Sequence, residues 1–74
     1  MQGTELRRVF DELIDAMSVV ASRYVMAREA GLNHTTIFRI TADPQRIPSA
    51  RTVRALMKAH RALLGRDFEI ERAG

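Results

Sequence analysis

The sequence predicts an all-α domain of four to five helices, and three observations carry that prediction. Apolar residues return at threes and fours along each long segment, the spacing that lays one stripe on a helix. Thr4, Ser22, Asn33 and Ser49 each stand just before such a segment, and Gly31 and Gly65 just after one, the residue types that start and stop helices. Pro44 and Pro48 confine the only long connection to residues 41–48, because each pushes the residue before it out of the helical region.

Thr4 is the expected N-cap of a first helix over Glu5 to Val20. Leu6, Val9, Phe10, Leu13, Ile14 and Met17 form its apolar stripe. Its other face is acidic and repels phosphate, so the helix reads as scaffold. Ser22 caps a second helix to Ala30, with Met26, Ala27 and Ala30 inward and Tyr24 and Arg28 outward; the alanines admit a neighbouring helix closely. Gly31 takes a left-handed backbone without a Cβ penalty and swings the chain onward within a few residues. Leu32 then plugs the core, and Asn33 caps a third helix whose inward residues are Ile37 and Ile40. His34, Thr35, Phe38 and Arg39 are left on the other side. Thr35 and Thr36 are β-branched and weak helix formers, so packing must hold this helix. A fourth helix cannot begin before Ser49 and runs to about Leu64. Val53, Leu56, Met57, His60, Leu63 and Leu64 share one face, while Arg51, Arg54, Lys58 and Arg61 form a basic ridge on another. The C-terminal extension, 66–74, alternates Phe68 and Ile70 with acidic residues, an extended pattern expected to serve packing or a dimer contact.

At 74 residues the chain reads as a single domain, 1–74, near the size at which folding buries only about 60% of the unfolded surface. Help from dimerisation is therefore expected. With no cysteine there is neither a disulfide framework nor a thiolate zinc site, in keeping with a reducing cytoplasm. No apolar run approaches the roughly 20 residues of a membrane span, and the acidic first helix is no signal peptide. The formal net charge of +3 is unevenly spread. Residues 1–20 set Arg7 and Arg8 against four carboxylates, and the tail from Asp67 sets Arg72 against three. Residues 21–66 carry nine basic side chains against Glu29 and Asp43 alone. Eleven of the twelve basic residues are arginine, whose planar fork suits phosphate and the guanine edge, although a GC-rich genome also raises arginine over lysine.

Residues 22–41 read as a helix-turn-helix, and VMAREAGLNHTTIFRI resembles, without a gap, that motif in the lambda repressor and Cro family, the Xre-type regulators. Met26 and Ala27 match the family's Leu-Ala of the second helix and Gly31 its turn glycine. Leu32 and Asn33 match the Val-Ser that opens the third helix, Ile37 and Ile40 its core positions, and Pro48, Ser49 and Thr52 the opening of the fourth. The resemblance covers about three-quarters of the chain. Thr41, Ala42 and Asp43 replace the family's Glu-Asn-Gly, with one extra residue before Pro48, which leaves the contacts of that loop open. DPQRIPSARTVRAL is also similar to the lactose repressor family, but that family lacks a long helix before the motif.

The resemblance implies a lambda-repressor-like DNA-binding domain, with helix 33–41 in the major groove and the amino end of the second helix on the backbone. Carried over, His34, Thr35, Phe38 and Arg39 are the expected base contacts. Ser22, Arg23, Asn33, Thr36, Arg46 and Arg51 are the expected backbone contacts, aided by helix amino termini. Arg39 has the strongest physical case, since it can bond bidentately to guanine O6 and N7; Thr35 can pack its methyl on thymine, and His34 can donate to O6 or N7.

Plainer readings stand beside these. The motif can be an ordinary helical hairpin, and His34 a surface histidine. His60, in the middle of an apolar stripe, reads as a satisfied core or interface histidine, and Met17, Met26 and Met57 as core filler. Phe38 exposes apolar surface unless it meets a thymine methyl, a partner subunit or a base step. Arg54, Lys58 and Arg61 are expected to be solvated or to bind acidic partners such as the first helix.

The function expected is that of a sequence-specific duplex DNA-binding transcriptional regulator, a repressor, acting as a homodimer on a two-fold operator. It is expected in the cytoplasm with the nucleoid, with no cofactor, no metal, no membrane partner and no small-molecule effector. A regulator of this size suits a phage, a mobile element or a small autoregulated operon. The alternatives are a transposition or partition accessory protein, and an antitoxin or adaptor that binds protein. An enzyme is not expected: two histidines on different faces, no cysteine and no convergent carboxylate pair supply no catalytic constellation.

Overall fold

The computed structural model describes residues 2–69, and among them the backbone forms four helices and no strand: α1 Gly3–Ser18, α2 Arg23–Ala30, α3 His34–Ala42 and α4 Ala50–Leu64. Three of the expected N-caps make their bonds. Ser22 Oγ accepts from the Val25 N–H at 3.3 Å, Asn33 Oδ1 from the Thr35 N–H at 2.9 Å, and Ser49 Oγ from the Thr52 N–H at 3.1 Å. Each satisfies one of the orphan donors of a first helical turn.

Thr4 is not a cap. The helix starts two residues earlier than expected, at Gly3 after Gln2, whose carbonyl accepts the Leu6 N–H at 2.9 Å. Gly3 packs beside the loop after α3: a Cβ there would meet Ile47 Cγ2 at 3.4 Å. At its other end α1 stops at Ser18 rather than Val20. The Val20 and Ala21 N–H groups both bond to the Met17 carbonyl, closing a turn that leaves Val19 83% exposed.

The core gathers Val9, Phe10, Leu13, Ile14 and Met17 from α1, Met26 and Ala27 from α2, Ile37 and Ile40 from α3, and Val53, Leu56 and Ala59 from α4. Each fully buried Phe, Leu or Met side chain contributes about 1.5–3 kcal/mol. α4 lies against both α1 and α2, and α3 rests on α2. The face that α4 buries is rotated from the expected stripe. Thr52, Val53, Leu56, Ala59 and His60 are buried, whereas Met57, Leu63 and Leu64 are only partly so. Small Ala59 turns inward, and Thr52 can follow because its hydroxyl accepts from Ser49 Oγ at 3.0 Å.

After Gly65 the chain is neither helical nor paired as a strand through Glu69. Phe68 folds back on its own core, edge-on to His60 with ring centroids 5.4 Å apart. Ile70, the other expected dimer residue, lies outside the described residues. No described helix is long and apolar enough to cross a membrane.

Candidate nucleic-acid interface

The geometry of α2 and α3 is set by the turn between them. Gly31 has φ 71° and ψ 27°, a left-handed conformation open to glycine at little cost. Its N–H donates to the Arg28 carbonyl at 3.2 Å, and the Leu32 N–H donates to the Ala27 carbonyl at 2.9 Å. These paired bonds satisfy the last carbonyls of α2, while Leu32 packs on the core, a combination that locks the direction in which the chain leaves a helix. Asn33 then starts α3. Ile37 and Ile40 anchor that helix inward, and Thr41 Oγ1 donates back to the last turn, 3.0 Å from the carbonyls of Ile37 and Phe38.

Arg7 secures the far end of α3, a role that sequence reasoning missed. From α1 its Nη1 donates to the carbonyls of Ile40, Asp43 and Arg46 at 2.8, 2.7 and 2.9 Å. Its Nε pairs with Asp11, and the side chain is only 15% exposed. The loop also closes on itself, with Asp43 Oδ1 accepting from the Gln45 N–H at 3.0 Å just across Pro44. Nothing in the periodicity of α1 announces the clamp, because its acceptors are backbone carbonyls more than thirty positions away.

On the outer side of α2 and α3 four side chains meet. Tyr24 tilts over His34 with centroids 4.7 Å apart, and Phe38 stands edge-on to both, 5.6 Å from Tyr24 and 6.0 Å from His34. The Arg23 guanidinium lies 5.6 Å from the Phe38 centroid, within range of a cation–π attraction. Phe38 is thus half-buried by its neighbours on the surface rather than free-standing. Tyr24 points outward as expected, but its spacing on α2 gives no sign that it would stack across the turn on α3.

None of the other expected contact residues has a ring or cation–π contact with this cluster. Arg39, one position beyond Phe38, is exposed; Thr35 and Thr36 are half-buried; Arg46 and Arg51 are exposed on the loop and the first turn of α4. Ser22 and Asn33 use their side-chain oxygens as caps, which leaves the Ser22 hydroxyl proton and the Asn33 amide protons as donors. Donors are what a phosphate oxygen accepts.

Ion pairing separates the basic residues into two groups. Arg7 pairs with Asp11, Arg8 with Glu5 and Glu12, Arg28 with Glu29, and Arg61 with Asp67. Among the described residues Arg23, Arg39, Arg46, Arg51, Arg54, Lys58 and Arg66 have no carboxylate partner. The ridge on α4 is therefore split: its carboxyl end is neutralised at Arg61, and its amino end is not. His60 lies apart from all of these, buried, with Nδ1 3.0 Å from the Arg66 carbonyl. A carbonyl only accepts, so Nδ1 carries the proton and the histidine is satisfied. No group of three His, Cys, Asp or Glu among the described residues is placed to hold a metal ion.

Comparison with protein-family models, with curated proteins and with solved structures gives no match. The family resemblance therefore rests on the sequence motif itself.

Proposed function

We propose that this chain is a sequence-specific duplex DNA-binding regulator of transcription, a helix-turn-helix repressor that lays α3 in the major groove and acts as a homodimer on a two-fold operator. The observation that carries the reading is the division of the arginines. Those on α1 and at the carboxyl end of α4 are held by carboxylates, while Arg23, Arg39, Arg46 and Arg51 are free to meet phosphate or a base edge. An exposed cation without a partner keeps its full electrostatic reach toward a polyanion. The locked turn at Gly31 adds support, because a helix-turn-helix reads bases with two short helices in one fixed relation.

Selection from a random duplex library near physiological salt tests this, run in parallel for the wild type and Arg39→Ala. The expected result is a palindromic motif that loses definition at one position per half-site in the variant. An unenriched wild-type pool overturns the proposal. It would favour the competing reading, a protein-interaction module, for which the exposed Val19 and the surface aromatic cluster are the supporting observations; such a module shows no preference among duplexes.

A further inference from the structure

We infer that the aromatic cluster at the α2–α3 junction recognises the C5-methyl group of a pyrimidine in the major groove, so that each half-site contains a thymine read chiefly by Phe38. This inference rests on the DNA-binding reading and names the base chemistry that the same surface selects.

The first ground is the use of aromatic residues. The chain has three phenylalanines, one tyrosine and no tryptophan. Phe10 is wholly buried and Phe68 packs at the edge of the core, whereas Phe38 and Tyr24 belong to neither. Half of the large aromatic rings are thus spent on one surface spot, where Tyr24 stays 60% exposed. Core packing does not explain them.

The second ground is the placement of the cluster. Phe38 lies one turn beyond His34 and next to Arg39 on α3, and Arg23 covers it from α2. No carboxylate is paired to either arginine among the described residues, so the apolar spot is flanked by cations suited to a phosphate backbone. His34 makes no side-chain hydrogen bond among the described residues and stacks on Tyr24, which holds its ring while leaving its nitrogens free.

The third ground is the chemistry of the duplex. Stacked bases present only their edges to a protein in the major groove, and the apolar group on those edges is the thymine methyl. In the major groove of a duplex whose bases stay stacked, an aromatic surface set among donors therefore has one complementary feature. Tyr24 and His34 fix the Phe38 ring before binding, so little side-chain freedom is lost when the methyl docks.

The test uses the intact protein on its selected site. Each thymine is replaced in turn by deoxyuridine, which removes only the methyl group. The expected result is a loss of about 3- to 5-fold in affinity at one position per half-site, with 5-methylcytosine binding more tightly than cytosine there. Phe38→Ala should bind thymine and uracil duplexes alike, with its fold checked by circular dichroism; Phe38→Leu should keep part of the discrimination. The uracil arm needs no variant, so the methyl readout stands even if Phe38→Ala unfolds, and Phe38→Leu beside Thr35→Ser then assigns it. A uracil effect unchanged in Phe38→Leu and lost in Thr35→Ser overturns the assignment to Phe38. Sequence-selective binding that is indifferent to uracil at every position, or a selected motif without a fixed thymine, overturns this inference and leaves the DNA-binding reading standing. Absence of any sequence preference overturns both.

Discussion

Arg7 shows how one side chain can organise a connection that has no regular structure. Its guanidinium holds three carbonyls of the α3 terminus and the following loop, on a side chain that is only 15% exposed. Hydrogen bonds to a charged donor contribute about 1.5–3 kcal/mol each at most, and three carbonyls sharing one nitrogen contribute less than three separate bonds. Arg7→Met should therefore lower stability by about 2 kcal/mol, read as a fall in Tm of roughly 10 °C in thermal denaturation. A Tm within a degree or two of wild type would show that the loop holds without the clamp. Under the proposed DNA-binding function, Arg7→Met should also bind DNA more weakly than Arg8→Met, because Arg46 is carried by that loop while the partners of Arg8 lie within α1 alone.

At the scale of the element, the two left-handed glycines form a natural pair of controls. Gly31 and Gly65 have φ of 71° and 72°, and an added Cβ at either meets nothing within 4 Å. The cost of alanine is thus purely one of backbone conformation, about 1–2 kcal/mol at each, with asparagine costing less. Gly31→Ala and Gly65→Ala should lower Tm by similar amounts. Their effects on DNA binding, measured well below Tm, should differ: Gly31 sets the relation of α2 to α3, while Gly65 leads only into the tail. Equal losses of affinity in the two variants would remove the turn from the binding surface. Asn33 belongs to the same level, since its loss as a cap should cost about 1 kcal/mol and loosen the first turn of α3, where His34 and Thr35 stand.

For the molecule as a whole, the segregation of charge makes a quantitative demand. If Arg46 and Arg51 each meet a phosphate, replacing either by alanine should flatten the plot of log K against log salt by about 0.9 for each phosphate no longer neutralised. Arg61→Ala should leave the slope alone, because Asp67 already neutralises Arg61 at 2.7 Å. Identical slopes for all three would mean that the cations act as a diffuse field rather than at defined phosphates.

The tail bears on assembly at the same scale. Phe68 gives part of its surface to its own core and to His60, so Phe68→Ala should cost about 1–2 kcal/mol of stability, less than the roughly 3–5 kcal/mol of a fully buried phenylalanine. Deleting 66–74 should lower Tm for the same reason, and, if the proposed homodimer is joined through Phe68 and Ile70, it should also shift the mass toward monomer in light scattering. An unchanged dimer mass would move the dimer surface away from Phe68.

The four helices, and the limits of α2, α3 and α4, were legible in the sequence because their determinants are local, whereas both ends of α1, which has no side-chain cap and no glycine stop, were misplaced by two residues. Ser22, Asn33 and Ser49 bond to N–H groups two or three residues away, and Gly31 and Gly65 answer to their own φ. Such signals act within one helical turn and survive in a bare string of residues. The inward stripe of α1 and the exposed polar face of α3 follow from the same short periods. The tertiary structure alone decided what depends on how the helices roll and meet. It turned Thr52 and Ala59 inward in place of Met57, stacked Tyr24 on His34 across the turn, and placed the Arg7 fork on carbonyls 33, 36 and 39 positions away. Backbone carbonyls are identical at every residue, and a ring stack depends on the angle between two helices. Neither leaves a pattern along the chain, so packing is the level at which both are settled.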